Sequence, residues 1–216
     1  MSLRILVACE YSGVVREAFR AKGHYAVSCD ILPSEDGSIH HYQGDVRDIL
    51  SDPWDLMVAH PPCTYLCNSG VRWLYKPDPL ASNRKVKAMD RWRDMRDGAA
   101  FFKLLQDAPI PFIAIENPVM HRHARELVYD WPTCSVQPWQ FGHLEKKRTM
   151  FWLKNLPPLV PTTDLLAETE ALPMKEQQKV FYASPKADRW KDRSRTYKGI
   201  AEAMADQWGQ YVCSNL

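Results

Sequence analysis

The sequence predicts an α/β protein built on one open, mostly parallel β-sheet with helices on both of its faces. Short apolar runs alternate with helical patterns along the 216 residues. Several of these runs end directly in a reactive or acidic residue, namely Asp30, Asp45, Cys63 and Glu116. Because ligands of open α/β sheets bind outside the carboxyl ends of the strands, these four residues predict a functional site along that edge.

The elements follow in order from the amino terminus. Residues 3–8 predict a strand, Ser12-Gly13 a turn, and residues 14–22 a helix that Gly23 closes. Two prolines after residue 59 end the pairing of another strand, so Cys63 lies beyond its carboxyl end. Further strands are predicted at residues 25–29, 39–42, 56–59, 112–115 and 150–153, and further helices at residues 97–105 and 195–212.

The composition is that of one soluble globular domain over residues 1–216, with 45% hydrophobic and 25% charged residues. No run of eighteen apolar residues occurs and no secretory cleavage site follows the first residues, so we expect a cytoplasmic protein without membrane partners. The six cysteines are expected to be reduced thiols. Two irregular regions stand out: residues 64–98, expected to form a mobile lid, and residues 157–193.

Positive charge is unevenly placed although the net charge is only +2. Basic residues concentrate in residues 84–96, where they alternate with aspartates, and again in residues 186–198. The first stretch fits a solvated helix face with ion pairs as well as it fits a surface that contacts phosphates. Both interpretations remain open from the sequence.

Cys63 and Glu116 predict a specific chemistry. Carbon 5 of a pyrimidine becomes nucleophilic only after a nucleophile adds to carbon 6, and a thiolate suits that addition. A carboxyl group is also needed to hold the ring at N3 as electron density builds there. Adjacent parallel strands lie about 5 Å apart, so their ends bring such a pair close enough to grip one base.

Four segments in this order resemble the C5-cytosine methyltransferase family, and they span most of the chain. They are HPPC at residues 60–63, ENP at 116–118, FGHLEKKRT at 141–149 and GIAEA at 199–203. In the third segment Glu145 and Lys147 replace the Gln and the first Arg of the family pattern, and Ile200 replaces an Asn in the fourth. The resemblance is to compact members of phage and prophage type that lack a large target-recognition domain. It implies a Rossmann-like methyltransferase fold that uses S-adenosylmethionine.

The resemblance also implies roles for individual residues. Cys63, Glu116 and Arg148 would be catalytic, with Asp30 on the ribose hydroxyls of S-adenosylmethionine and Asp45 near its adenine. The cofactor-binding set is completed by Glu10, Tyr11, Ser12, Gly13, Val14, Ile31, Val46 and Pro61. The base and its phosphates would contact Pro62, Thr64, Arg72, Arg84, Arg91, Asn117 and Pro118.

The predicted activity is methylation of carbon 5 of a pyrimidine, first of all cytosine in DNA. The interval before the last helix is too short for a separate reading domain, so a free nucleotide (dCMP, dUMP or UMP) remains an alternative substrate. A non-catalytic nucleic-acid-binding homologue is a further alternative. The protein would act in the cytoplasm, that of the host if a phage encodes it.

Competing chemistries fit the spacing less well. His60, Cys63 and Cys67 suggest zinc, but no fourth ligand is evident and we expect no metal. A zinc deaminase requires a closer cysteine pair and an earlier His-x-Glu. An amino-group methyltransferase would carry an aromatic residue where Cys63 stands. Trp73 is a candidate for stacking on a base.

Overall fold

A computed structural model of the protein describes residues 1–182 and 189–216. Over these residues seven strands pair into one main sheet and two more form a separate hairpin. The main strands are β1 (Arg4–Ala8), β2 (Tyr25–Asp30), β3 (His41–Gln43), β4 (Leu56–Ala59), β7 (Phe112–Pro118), β8 (Cys134–Val136) and β9 (Thr149–Lys154). The hairpin consists of β5 (Tyr75–Asp78) and β6 (Ala81–Lys87).

The main sheet has the order β3-β2-β1-β4-β7-β9-β8. Neighbours from β3 to β7 are parallel, whereas β9 is antiparallel to both β7 and β8. The predicted open, mostly parallel sheet is therefore confirmed. The chain moves outward from β1 through β2 to β3 and then returns to β4 on the other side, which makes the β1/β4 boundary the switch point where such sheets bind ligands.

Helices cover both faces, as predicted. They are α1 (Val14–Ala21), α2 (Asn68–Val71), α3 (Met89–Gln106), α4 (Arg122–Val128), α5 (Leu166–Ala171), α6 (Met174–Gln177), α7 (Lys179–Tyr182), α8 (Arg189–Ser194), α9 (Lys198–Ala203) and α10 (Gly209–Cys213). A π-helical turn, Met204–Trp208, joins α9 to α10. Helices α1, α9 and α10 pack on one face of the sheet, and α3 and α4 pack on the other.

Alternation along the strands supplies both cores. Ile5 and Val7 of β1 pack with α1, while Leu6 and Ala8 pack on the face of α3. Because both faces of the sheet are covered, each central strand is a continuous apolar run in the sequence. The core under α1 is completed by Trp208, whose fully buried ring donates its Nε1–H to the carbonyl of Pro157 at 2.9 Å.

The structure corrects three element boundaries. Helix α3 begins at Met89, so much of the region predicted to be irregular, 64–98, is helix and hairpin. Residues 157–193 likewise contain short helices among the described residues. Strand β7 continues through Glu116 to Pro118 because the antiparallel β9 extends beyond the end of β4 and pairs with these residues.

Candidate active site

A large cavity opens at the carboxyl ends of β1, β2, β4 and β7. Its volume is about 1210 Å³. A cavity for one small ligand typically measures about 300–1000 Å³, so this one has room for two ligands side by side. Residues at or just beyond the carboxyl ends of these four strands line it, among them Glu10, Asp30, Cys63 and Glu116.

The wall near β1 and β2 contains most of the predicted cofactor contacts. Asp30 ends β2, and its Oδ1 accepts the backbone N–H of Leu32 at 2.9 Å. Burial raises the pKa of the Asp30 carboxyl above its ordinary value. Predicted residues that line this part of the cavity are Glu10, Tyr11, Ser12, Asp30, Ile31, Asp45, Val46 and Pro61.

Glu10 performs a structural task within this wall. Its side chain accepts the backbone N–H groups of Val15 at 2.7 Å and Arg16 at 3.2 Å, so it caps the start of α1. The capping position itself is Gly13, which has no side chain to do this. Burial raises the pKa of Glu10, and the neighbouring His60 opposes that rise.

Gly13 and Val14, which are also predicted cofactor contacts, are outside the lining of this cavity. Gly13 has a φ of +73°, and a Cβ there would lie 2.3 Å from Nη2 of Arg16. The fully buried Arg16 guanidinium donates to Ser28 Oγ at 2.7 Å and pairs with Asp36. Gly13 therefore provides the left-handed turn and the space that Arg16 occupies.

The carboxylate of Asp45 is already engaged by its own turn. Its Oδ1 accepts the backbone N–H of Arg47 at 3.0 Å, and its Oδ2 accepts Nη1 of Arg47 at 2.7 Å. These hydrogen bonds lower the pKa of the Asp45 carboxyl. Asp45 thus shapes the cavity wall through the turn that it caps, the 3₁₀ turn Val46–Asp48.

Cys63 lies in a tight turn beyond β4. The carbonyl of Cys63 accepts the backbone N–H groups of Leu66 and Cys67, both at 3.0 Å. Cys63 and Cys67 therefore lie on the same side of one turn, and both line the cavity. The hydrogen bond between their sulfurs, burial, and the charge of Glu116 raise the pKa of Cys63, whereas Lys147 acts to lower it.

The second sulfur of this turn accepts hydrogen bonds. The hydrogen bond from Cys63, together with those from the hydroxyl and backbone N–H of Ser69, lowers the pKa of the Cys67 thiol. The Sγ of Cys67 lies 3.0 Å from Oγ of Ser69. The two thiols therefore share a hydrogen bond and titrate as a pair.

Glu116 faces the cavity from the neighbouring strand. Ala59 is paired with Ile115, so the next positions, His60 and Glu116, are opposite each other at the rim of the sheet. His60 Nδ1 lies 3.4 Å from Glu116 Oε2. The Glu116 side chain is 20% exposed, which leaves part of its carboxyl group open to the cavity.

The predicted substrate contacts divide into two groups. Pro62, Thr64, Arg72, Arg91 and Pro118 line the cavity, as does the predicted catalytic Arg148. Asn117 does not: it is 0% exposed, and its Nδ2 donates to the carbonyl of Pro118 at 2.7 Å, because β7 continues through it and turns its side chain away. Arg84 is also outside, since it pairs with Asp78 within the β5–β6 hairpin.

Several cavity residues were not predicted from the sequence. Lys146 and Lys147 precede Arg148 on the wall, and Phe181 contributes an exposed aromatic ring from the short helix α7. The basic run KKR at residues 146–148 is the sequence signal for the two lysines: Lys147 takes the place of the first Arg of the family pattern, and the resemblance gives a role only to Arg148. Nothing in the sequence near Phe181 indicates that it lines the same cavity as Cys63.

Within residues 1–182 and 189–216, no group of three His, Cys, Asp or Glu side chains is arranged to hold a metal ion. In the same ranges no helix is both long and apolar enough to cross a membrane.

No family model and no curated protein matches the chain. Solved structures do resemble it. A protein described as a DNA modification methyltransferase encoded within an Escherichia coli prophage is 15% identical over 70% of this chain and 46% of its own, with a TM-score of 0.43. The Dnmt2 methyltransferase of S. pombe is 16% identical over 96% of this chain and 66% of its own, with a TM-score of 0.40.

A third similar structure, WbdD with a kinase inhibitor, is 12% identical over 74% of this chain and 38% of its own, with a TM-score of 0.39. The chain thus spans less than two thirds of the length of each of these proteins. Fold does not imply function, so the activity has to be argued from the residues of the cavity.

Proposed function

We propose that this protein is an S-adenosylmethionine-dependent methyltransferase that modifies carbon 5 of a pyrimidine, with cytosine in DNA as its substrate. One observation carries the proposal: Cys63 and Glu116 line the same cavity from the ends of neighbouring strands. A thiol and a carboxyl so placed have the two reaction partners that activation of carbon 5 requires.

In the proposed reaction the sulfur of Cys63 adds to carbon 6 of the ring, and Glu116 holds N3 by a hydrogen bond as negative charge develops there. Carbon 5 then accepts a methyl group and releases its proton. Breaking the bond between carbon 6 and sulfur restores the ring and frees the thiol. Addition requires the Cys63 thiolate, so the proton on Cys63 must first leave, and the positive charge of Lys147 favours that loss.

The residues near β1 and β2 fit S-adenosylmethionine, which when bound supplies an electrophilic methyl group. Asp30 offers a carboxylate at the end of the second strand, the position from which α/β folds hold ribose hydroxyls. Ile31, Val46 and Phe101 add apolar surface on the same cavity, as an adenine ring needs. The volume of about 1210 Å³ leaves room for a base beside the cofactor.

Asp30 gives the first test of the cofactor. Replacing Asp30 by Ala should raise the dissociation constant for S-adenosylmethionine about 10- to 100-fold, because hydrogen bonds to a charged group contribute about 1.5–3 kcal/mol. Isothermal titration calorimetry measures this dissociation constant. Asp52→Ala, an exposed acid outside the cavity, is the matched control and should bind like the wild type. If Asp30→Ala bound S-adenosylmethionine as tightly as Asp52→Ala does, the proposed contact between Asp30 and the ribose would be wrong.

The substrate is proposed to be a nucleic acid because positive charge surrounds the cavity. The cations on its wall are Arg47, Arg72, Arg91, Lys146, Lys147, Arg148 and Arg193. Aromatic rings accompany them: Trp73 is 56% exposed with the Arg72 guanidinium 4.6 Å from its ring centroid, and Phe181 is 64% exposed. Cations with stacking surfaces are typical of sites that track a phosphate backbone and hold unstacked bases.

The segment of residues 64–98 is proposed to close over the base as a lid. It contributes Arg72, Trp73 and Arg91 to the cavity. Arg91 already stacks on Tyr65, with its guanidinium 4.3 Å from the ring centroid, so the two ends of the segment are in contact. Closure would exclude water and bring these cations toward a phosphate.

Salt dependence tests this choice of substrate. Affinity for a short cytosine-containing DNA should fall with salt at a log–log slope of about −3 or steeper, since each phosphate contact contributes about −0.9. Arg148→Ala should make the slope shallower by about one, whereas Lys175→Ala, exposed and outside the cavity, should not change it. Fluorescence anisotropy measures both. A slope near zero would contradict nucleic-acid binding.

Methyl transfer itself is tested with radiolabelled S-adenosylmethionine and, separately, duplex DNA, single-stranded DNA, dCMP, dUMP and UMP. Label is expected in carbon 5 of cytosine in DNA. Label in the mononucleotides alone would assign the same chemistry to a free nucleotide. DNA binding without label in any of these substrates would favour a non-catalytic homologue.

A further inference from the structure

His60 lines the cavity and has no role in the reaction proposed above. Its side chain is only 9% exposed, and its backbone N–H donates to the carbonyl of Ala8 at 2.9 Å. That bond extends the pairing of β4 with β1 by one residue before the two prolines turn the chain away. The backbone of His60 is therefore fixed at the rim of the sheet, at the switch point between β1 and β4, and its buried side chain starts from that point.

The ring lies close to one carboxyl group and acts electrostatically on a second. Glu116 comes from β7 and lies 3.4 Å from Nδ1. Glu10 comes from the segment after β1, and the positive charge that His60 can carry acts to lower the pKa of Glu10. Alternation along β4 and β7 places His60 and Glu116 on the sheet face shared with Val58 and Ala114, toward α1.

The two ring nitrogens differ in their surroundings. Nδ1 has the Glu116 carboxylate, whereas the buried Nε2 has no hydrogen-bond partner among the described residues. A buried N–H without a partner is costlier than a lone pair without one, so the neutral ring keeps its proton on Nδ1. In that tautomer Nδ1–H donates to Oε2 and leaves Oε1 of Glu116 to face the base.

We propose that His60 is a positioning residue that holds the Glu116 carboxyl group in the orientation needed to grip N3 of the pyrimidine. This role rests on the proposed function, because it acts only through Glu116. His60 forms no bond to the substrate in it. We therefore expect a replacement side chain to work only if it puts an N–H group at the position of Nδ1, because Nδ1 is the ring nitrogen that faces Glu116.

Asparagine and glutamine separate the two nitrogens. The amide nitrogen of Asn can take the place of Nδ1, and that of Gln the place of Nε2. His60→Ala should lower kcat about 10- to 100-fold, as the loss of an orienting partner does, with KM for S-adenosylmethionine unchanged. His60→Asn should recover most of this loss and His60→Gln should not. Equal rates for all three variants and the wild type would overturn the proposal.

A measurement that needs no turnover keeps the inference separate from the proposed function. Nitrogen-15 NMR of the histidine rings, with His60→Asn to assign the signal, should show a protonated Nδ1 whose resonance moves in Glu116→Gln. Absence of methyl transfer by the wild type would refute the proposed function alone. If the Glu116→Gln variant folds with a wild-type circular dichroism spectrum and its His60 resonance does not move, the contact between His60 and Glu116 is refuted, whatever the activity.

Discussion

Replacing Cys63 by Ala is expected to lower methyl transfer by a factor on the order of 10⁴ or more, as removal of a covalent nucleophile does. Without the sulfur no bond to carbon 6 forms, and carbon 5 stays too weak a nucleophile to accept the methyl group. Affinity for S-adenosylmethionine should be unchanged, because Cys63 is not among the predicted contacts of the cofactor. Single-turnover transfer of radiolabel to DNA measures the loss.

Cys213→Ala is the matched control, since Cys213 is a partly buried thiol outside the cavity. It should retain wild-type turnover. A direct check is DNA carrying 5-fluorocytosine, in which the fluorine replaces the proton that must leave. The wild type should form a covalent adduct visible by mass spectrometry, and Cys63→Ala should form none. Undiminished turnover in Cys63→Ala would exclude the covalent mechanism.

Glu116→Gln should be the second most severe substitution in the cavity, lowering kcat about 10²- to 10⁴-fold, the range that general acid–base groups contribute. Glutamine keeps the shape of the side chain but cannot carry and release a proton, so negative charge at N3 is less stabilised in the transition state. The loss should appear in kcat more than in KM for DNA. Steady-state kinetics with a single-site DNA substrate separates the two.

The control for Glu116 is Glu126→Gln. Glu126 is exposed on α4 and pairs with Arg122 at 2.8 Å, away from the cavity. Its replacement should change stability little, because exposed ion pairs contribute little, and it should leave turnover unchanged. A Glu116→Gln enzyme as fast as this control would show that the carboxyl group of Glu116 takes no part in the chemistry.

Strands β1, β2 and β4 could be predicted because each is a short, largely apolar run that an acid or a proline ends or closely follows. Strand β8 and the continuation of β7 through Asn117 could not, because they depend on antiparallel pairing with β9, a contact distant in sequence. The start of α3 was missed because its first turns are rich in charge, with Arg93 3.7 Å from Asp90.

The candidate site shows the same division between local and distant signals. The residues at strand ends, Asp30, Cys63 and Glu116, could be placed together because the sheet edge collects them. Two other features could not be predicted: Glu10 caps the start of α1, and the Arg16 side chain fills the space beside Gly13. Each depends on which side chain packs into a particular space in the folded protein. The proximity of Lys147 to Cys63 likewise depends on a loop that only tertiary packing positions.

The packing of Trp208 has a consequence for the way the chain is made. This ring lies beneath α1 and meets Phe151 edge-on, with ring centroids 5.6 Å apart. During synthesis the part of α1 that Trp208 covers therefore stays exposed until residue 208 has left the ribosome. We expect the core under α1 to close only after that point.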